Sequence, residues 1–172
     1  MAQCETVIIT GPCILDFKGS ELGETEGDVT LSWADEVQFA YNNRYGRMPV
    51  DGVNVSGPIT VECALTEPTW TQLAAVASGT ARTGSTTIGV VVGNPTGARL
   101  SDAAGALIIK PVAEGGIAGT CLDEWITLYS AAPRINATAV YSKDGTQRLW
   151  GVHFDALPDS DGCRLLIGQE PV

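Results

Sequence analysis

The residues best equipped for chemistry are carboxylates: the adjacent pair Asp123-Glu124 and the series Asp155, Asp159, Asp161. Two carboxyls across a cleft can serve as the acid and base of a glycosidase, and several oxygens in one loop can hold calcium. Nothing in the spacing gathers these acids around one cleft, and no EF-hand loop occurs. They read as solvated loop acids. The single histidine, His153, lies between Val152 and Phe154. That alternation puts it on the wet face of a strand, as an ordinary imidazole rather than a general base. The patterns G-x-S-x-G, P-loop and H-E-x-x-H are absent. No catalytic residue, cofactor-binding residue or metal ligand is nominated, and the chain is expected not to be an enzyme and to need no cofactor.

Five cysteines occur, at Cys4, Cys13, Cys63, Cys121 and Cys163. No C-x-x-C pair exists and His153 has no cysteine near it in sequence, so a zinc site is not expected. The odd count leaves at least one thiol without an intrachain partner. Two readings stay open. The thiols are reduced, mostly buried small hydrophobes, or Cys4, Cys13 and Cys163 bond across subunits once the protein meets an oxidising medium. Cys63 shares an alternating face with Ile59, Val61 and Leu65 and is expected to be buried.

The elements that would carry these residues are mostly strands. Short strands are expected over 6–10 and 13–17, split by Gly11-Pro12. The longest alternation runs over 28–41. Val29, Leu31, Trp33, Val37, Phe39 and Tyr41 share one parity, with polar residues on the other. Asp35 breaks the apolar parity and marks a bulge or an exposed edge. A loop rich in Asn, Gly and Pro follows over 42–52, and alternation resumes over 59–66, so the two long strands form a hairpin with a projecting tip. One helix is expected at about 67–77, with Thr66 as its N-cap and Pro68 in its first turn. Trp70, Leu73, Val76 and Ala77 are spaced to lie on the sheet. Further strands are expected over 86–92, 106–112, 125–130 and 135–142. The turn Lys143-Asp144-Gly145 leads into another over 148–154, and a last one spans 164–168. The four tryptophans (Trp33, Trp70, Trp125, Trp150) fall mostly on apolar parities, which argues that they belong to the core.

The composition fits. The chain has 172 residues, 44% hydrophobic and 17% charged, enough for one core and too little for two. Val, Ile and Thr make up about a quarter of it, a mixture favouring strands. The expected fold is mainly β, a sandwich or barrel with one helix on the sheet, in a single domain over 1–172. Acidic residues outnumber basic ones 20 to 10, for a net charge of −10. Such a surface is a poor ligand for duplex DNA, since phosphate affinity comes from clustered Lys and Arg. No apolar run approaches the ~20 residues of a membrane span. The start, Met1-Ala2-Gln3-Cys4-Glu5, lacks the features of a signal peptide. The chain is expected to be made in a cytoplasm, where the acceptor patterns Asn54-Val55-Ser56 and Asn136-Ala137-Thr138 carry no weight. Only three lysines occur (Lys18, Lys110, Lys143). Strand edges without lysine invite pairing with other copies, so the domain reads as a building block.

Five segments, in this order and spacing, resemble the tail tube proteins (major tail proteins) of tailed bacteriophages. Leu22-Gly23-Glu24-Thr25-Glu26-Gly27-Asp28-Val29 resembles that family's turn into its first long strand. Tyr45-Gly46-Arg47-Met48-Pro49-Val50-Asp51 is similar to its YGxxPxD loop. Ile59-Thr60-Val61-Glu62-Cys63-Ala64-Leu65 precedes a helix as in the family. Ala104-Gly105-Ala106-Leu107-Ile108-Ile109-Lys110-Pro111 resembles its strand ending in proline. The stretch from Tyr141 to Phe154-Asp155-Ala156-Leu157-Pro158-Asp159 is similar to its VxFxALPD ending.

The resemblance implies a structural virion protein of the phage tail. It would form homohexameric rings stacked into a hollow tube, with long strands joined in a β-barrel around the lumen. Genomic DNA would pass through without specific binding, and an acidic wall would keep it from sticking. The long loop, here 42–52, would pack on the adjacent ring, which nominates Tyr45, Arg47, Met48 and Asp51 as inter-ring contacts. If the apolar parity of 28–41 packs on the helix, the wet parity nominates Glu36, Gln38, Thr60 and Glu62 as lumen-lining residues. Cys4, Cys13 and Cys163 are the candidates for intersubunit disulfides. The length leaves no room for an added immunoglobulin-like domain, which fits a contractile tail with a sheath protein as partner, besides baseplate and neck proteins. No membrane partner is expected, and the place of action is the virion tail, assembled in the host cytoplasm. The alternatives are another tail or neck ring component, such as a tail terminator, and a β-sandwich module that binds a surface.

Overall fold

A computed structural model describes residues 11–41, 44, 48–77, 97–112, 116–136 and 149–169. Its strands are β1 (Cys13–Phe17), β2 (Ser20–Glu21), β3 (Thr30–Tyr41) and β4 (Pro49–Leu65), then β5 (Gly105–Pro111), β6 (Ile126–Asn136), β7 (Trp150–Leu157) and β8 (Leu165–Ile167). Between β4 and β5 lies α1 (Trp70–Val76), the one α-helix among the described residues. All eight strands belong to one antiparallel sheet, ordered β2-β1-β5-β6-β7-β4-β3, with β8 beside β6. The fold is therefore mainly β, as its composition implies.

Local sequence explains the junctions. Lys18 and Gly19 have φ of 54° and 77°, the left-handed pair of a two-residue hairpin whose twist suits the flanking strands. A Cβ on Gly105 would sit 2.5 Å from the stem of Lys18, an exposed side chain that would have to shift. β6 is long enough for two neighbours on one side. Ile126–Leu128 pair with β8 and Ser130–Asn136 with β7.

The sheet curls over its core. Phe17 of β1 and Phe154 of β7 are separated by β5 and β6 in the sheet, yet their ring centroids are 5.3 Å apart at 56°. Leu15, Val61, Leu65, Leu107 and Leu128 surround them, all fully buried. Each such side chain contributes roughly 1.5–3 kcal/mol by leaving water. α1 adds Leu73 and Val76 to this core.

Several boundaries differ from the sequence reading. α1 starts at Trp70, and its N-cap is Thr69 rather than Thr66. The Thr69 hydroxyl accepts from the Gln72 amide, and the Gln72 side chain accepts from the Thr69 amide at 2.7 Å. That reciprocal capping box satisfies amides that Thr66 is too far upstream to reach. β4 begins at Pro49, inside the expected 42–52 loop. The expected strands 125–130 and 135–142 meet in β6, whose described part ends at Asn136. The tryptophans are not a buried set. Trp33 is 57% and Trp70 52% exposed, and Trp125 and Trp150 are half-buried. The expected strands 6–10 and 86–92 and the turn 143–145 lie outside the described residues.

Candidate interaction surface

β3 and β4 pair from Thr30↔Glu62 to Tyr41↔Pro49, longer than the core they cover. Opposed residues of an antiparallel pair point to the same face. Leu31 and Trp33, facing Val61 and Ile59, start on the core side. Val37, Phe39 and Tyr41 continue that face further along. There it leaves the core, and they are 48%, 51% and 64% exposed. The apolar parity of β3 therefore does not pack on the helix over this stretch, against the sequence expectation. Every described residue from Ser32 to Tyr41 and from Asp51 to Ser56 is exposed. The ribbon presents a bare continuation of the core face.

Two glycines shape it. Gly52 lies opposite Phe39, and a Cβ there would meet Val37 at 2.9 Å and Phe39 at 3.2 Å. Its absence lets the two apolar side chains lie across the strand. At the base, Trp33–Asp35 spans two steps on β3 while Ile59–Ser56 spans three on β4. The extra residue is a bulge at Gly57-Pro58. A Cβ on Gly57 would lie 2.1 Å from the Ala34 carbonyl oxygen. The irregularity that Asp35 signals in the sequence is present, with the added residue on the partner strand. Arg164, just before β8, donates from Nη1 to the Gly57 carbonyl oxygen at 2.7 Å.

The other face of the central strands is polar. Glu62, His153 and Arg134 lie in a row across β4, β7 and β6. His153 Nδ1 is 3.0 Å from Glu62 Oε1, and its Nε2 is 3.1 Å from Asp155 Oδ1. Arg134 bridges Asp155 Oδ2 at 2.6 Å. The histidine is thus a link in a hydrogen-bonded network rather than a lone surface ring. Among the described residues, no three His, Cys, Asp or Glu converge to hold a metal. Asp159 accepts from the amides of Asp161 and Cys163, which fixes its own loop.

Between β1 and β3 the curled sheet leaves an open-mouthed cavity of about 160 Å³. Cys13, Val29, Leu31, Ile109 and Ile126 line it, with Glu124 also contributing. Cys13 is half-buried, and burial raises its thiol pKa. Cys63 is 7% exposed, as its parity implies. Burial first, and the neighbouring Cys13 second, push its pKa up to about 12. Both stay protonated near neutrality and are poor nucleophiles.

Of the lumen candidates, Glu36 and Gln38 lie on the exposed ribbon, while Thr60 and Glu62 lie on the body beside Asp155 and His153. All four share the face away from the core. Of the inter-ring candidates, Met48 is 70% exposed, and Asp51 is exposed on β4, its Oδ1 accepting from the Gly52 amide. Tyr45 and Arg47 lie outside the described residues. Of the disulfide candidates, Cys13 and Cys163 are free thiols, Cys163 exposed, and Cys4 lies outside the described residues. Arg134 was missed by sequence reasoning, as was Arg164, because nothing local marks a long-range partner. No helix among the described residues is long and apolar enough to cross a membrane. Searched against known families and curated proteins, the chain matches no family model and no curated protein.

Proposed function

We propose that this chain is a structural subunit of a bacteriophage tail tube, built to be completed by copies of itself. The observation that carries the reading is the β3–β4 ribbon, whose core-facing stripe (Trp33, Val37, Phe39, Tyr41, interrupted by Asp35) runs on uncovered past the body. Aromatic side chains cover about 150–250 Å² each, so three of them half exposed leave roughly 250–400 Å² bare. A patch of that size is comparable to the largest one on an ordinary monomer, which is often functional. Among the described residues, the sheet also ends on two strands with a free side, β3 and β2 of the β1–β2 hairpin. Joining unlike edges of successive copies is a head-to-tail contact, which closes into a ring when the rotation allows it.

The sequence resemblance supplies six-fold rings, their stacking and a DNA conduit. The tip over 42–52, with Tyr45, Arg47, Met48 and Asp51, would then meet the next ring. The face carrying Glu36, Gln38, Thr60 and Glu62, with Val53 and Val55 opposite the first two, would look into the bore. Arg134 and His153 on that face rest on carboxylates, which suits a wall that must not hold a polyanion. Sheath, baseplate and neck proteins are the partners such a tube requires. Cys163, an exposed free thiol, remains available for bonds between subunits.

Analytical ultracentrifugation of the purified protein tests this reading. Species in multiples of six are expected as concentration rises, and a monomer at every concentration would refute it. A second reading has one observation in its favour. Trp33, Phe39 and Tyr41 line one exposed sheet face, as in a module that stacks aromatics on sugars. Saturable binding to a glycan panel by a persistent monomer would select it instead.

A further inference from the structure

The Phe39 ring of the ribbon and the cavity between β1 and β3 are similar in size. An enclosed apolar cavity of about 150 Å³ is large enough to hold a benzene ring; this one measures about 160 Å³, opens to the surface and has Glu124 beside its apolar side chains. Phe39 is a phenyl group, half exposed, at the middle of the bare stripe. Its own cavity is out of its reach. Leu31 lines the cavity, and Phe39 lies eight positions further along the same strand. At about 3.3 Å per residue that is about 26 Å. β3 is paired to β4 along this whole length, so it has no freedom to fold back.

We infer that the Phe39 ring of one copy seats in the cavity lined by Cys13, Val29, Leu31, Ile109 and Ile126 of the next. Val37 and Tyr41 flank it on the same face and lie against the rim. The contact is heterologous: each copy offers one ring and one socket at different places on its surface. It can therefore pass from copy to copy without limit, closing into a ring or running on. The inference deepens the tail tube reading and rests on it, since both require copies joined head to tail. It adds the residues that form the joint.

Cys13 in the socket provides the test. Phe39→Cys, treated with a mild oxidant at pH 8.5, should give a ladder of disulfide-linked multimers on a non-reducing gel. The ladder should vanish in Phe39→Cys with Cys13→Ser. Val55→Cys, on the opposite face of the ribbon, should link no more than the wild type does. Losing the phenyl ring weakens the joint itself, so the wild type gives a second measurement. Alkylation of Cys13, followed by mass spectrometry, should be slower in assembled protein than in monomer separated by dilution. Rings or tubes with neither a Cys13-dependent ladder nor protection of Cys13 would overturn the socket and leave the ring reading standing. A protein that never assembles would overturn both.

Discussion

Arg164 reaches across from the start of β8 to donate to the backbone carbonyl of Gly57, at 2.7 Å. The pair ties the loop before the last strand to the bulge where the exposed ribbon leaves the body. A charged donor to a half-buried carbonyl is worth roughly 1.5–3 kcal/mol. Its effect should be local, because Arg164 touches the ribbon only at its root. Arg164→Ala should therefore speed amide exchange over 49–58 while exchange in the buried part of β6 around Leu128 stays unchanged. Hydrogen exchange with mass spectrometry reads both regions in one experiment. Uniform loosening of the whole sheet would contradict the clamp.

Gly57 and Gly52 should respond differently to the same change. Gly57→Ala drives a methyl against the Ala34 carbonyl, a backbone atom that cannot step aside. It should cost about 1–3 kcal/mol, the usual range for overpacking. Gly52→Ala meets only the ends of Val37 and Phe39. These exposed side chains can turn away, so the loss should be smaller. Urea unfolding of the two variants gives the comparison, and equal losses would contradict the bulge as the tight point.

The buried thiols predict an alkaline limit to stability. Cys63 ionises near pH 12 in the folded chain, against an ordinary value of about 9, and Cys13 is raised as well. A group whose folded pKa is raised contributes stability in full below its unfolded pKa and loses it as pH climbs to the folded value. Stability should therefore begin to fall above pH 9 and continue to fall towards pH 12. One proton accounts for at most about 1.4 kcal/mol per pH unit. Cys63→Val should flatten the decline. Denaturation curves from pH 8 to 11 measure it, and an unchanged slope would assign the decline to other groups.

The acidic face predicts a transport defect without an assembly defect. Glu36→Lys with Gln38→Lys places two cations on the ribbon face away from the Val37–Phe39 stripe, beside Val53 and Val55. If that face lines the bore, tubes should form normally and DNA ejection from assembled virions should slow. Ejection at the wild-type rate from such tubes would remove these residues from the lumen.

Much of the sheet was legible because alternation is a local signal. β1 falls where its apolar run predicts, and Ile59, Val61, Cys63 and Leu65 face the core as their parity implies. The first half of β4 was hidden by its bulge. The extra residue at Gly57-Pro58 swaps the inward parity from even to odd positions, so no single period spans the strand. The helix start was misplaced because Thr66 and Thr69 are both able to cap. Only the Gln72 side chain, returning to Thr69, decides between them. Trp33 and Phe39 show a different limit. Parity tells which side of a strand is apolar, but whether anything covers that side depends on where the body ends. The Glu62–His153–Asp155–Arg134 network joins three strands far apart in sequence, and only their register brings it together.

The central claim is that this domain is finished by its neighbours. Negative-stain electron micrographs of the purified, concentrated protein test it most directly. The account predicts six-fold rings or hollow tubes that disperse when Phe39 is changed to Ser. Fields of separate, unassociated particles at every concentration would contradict it.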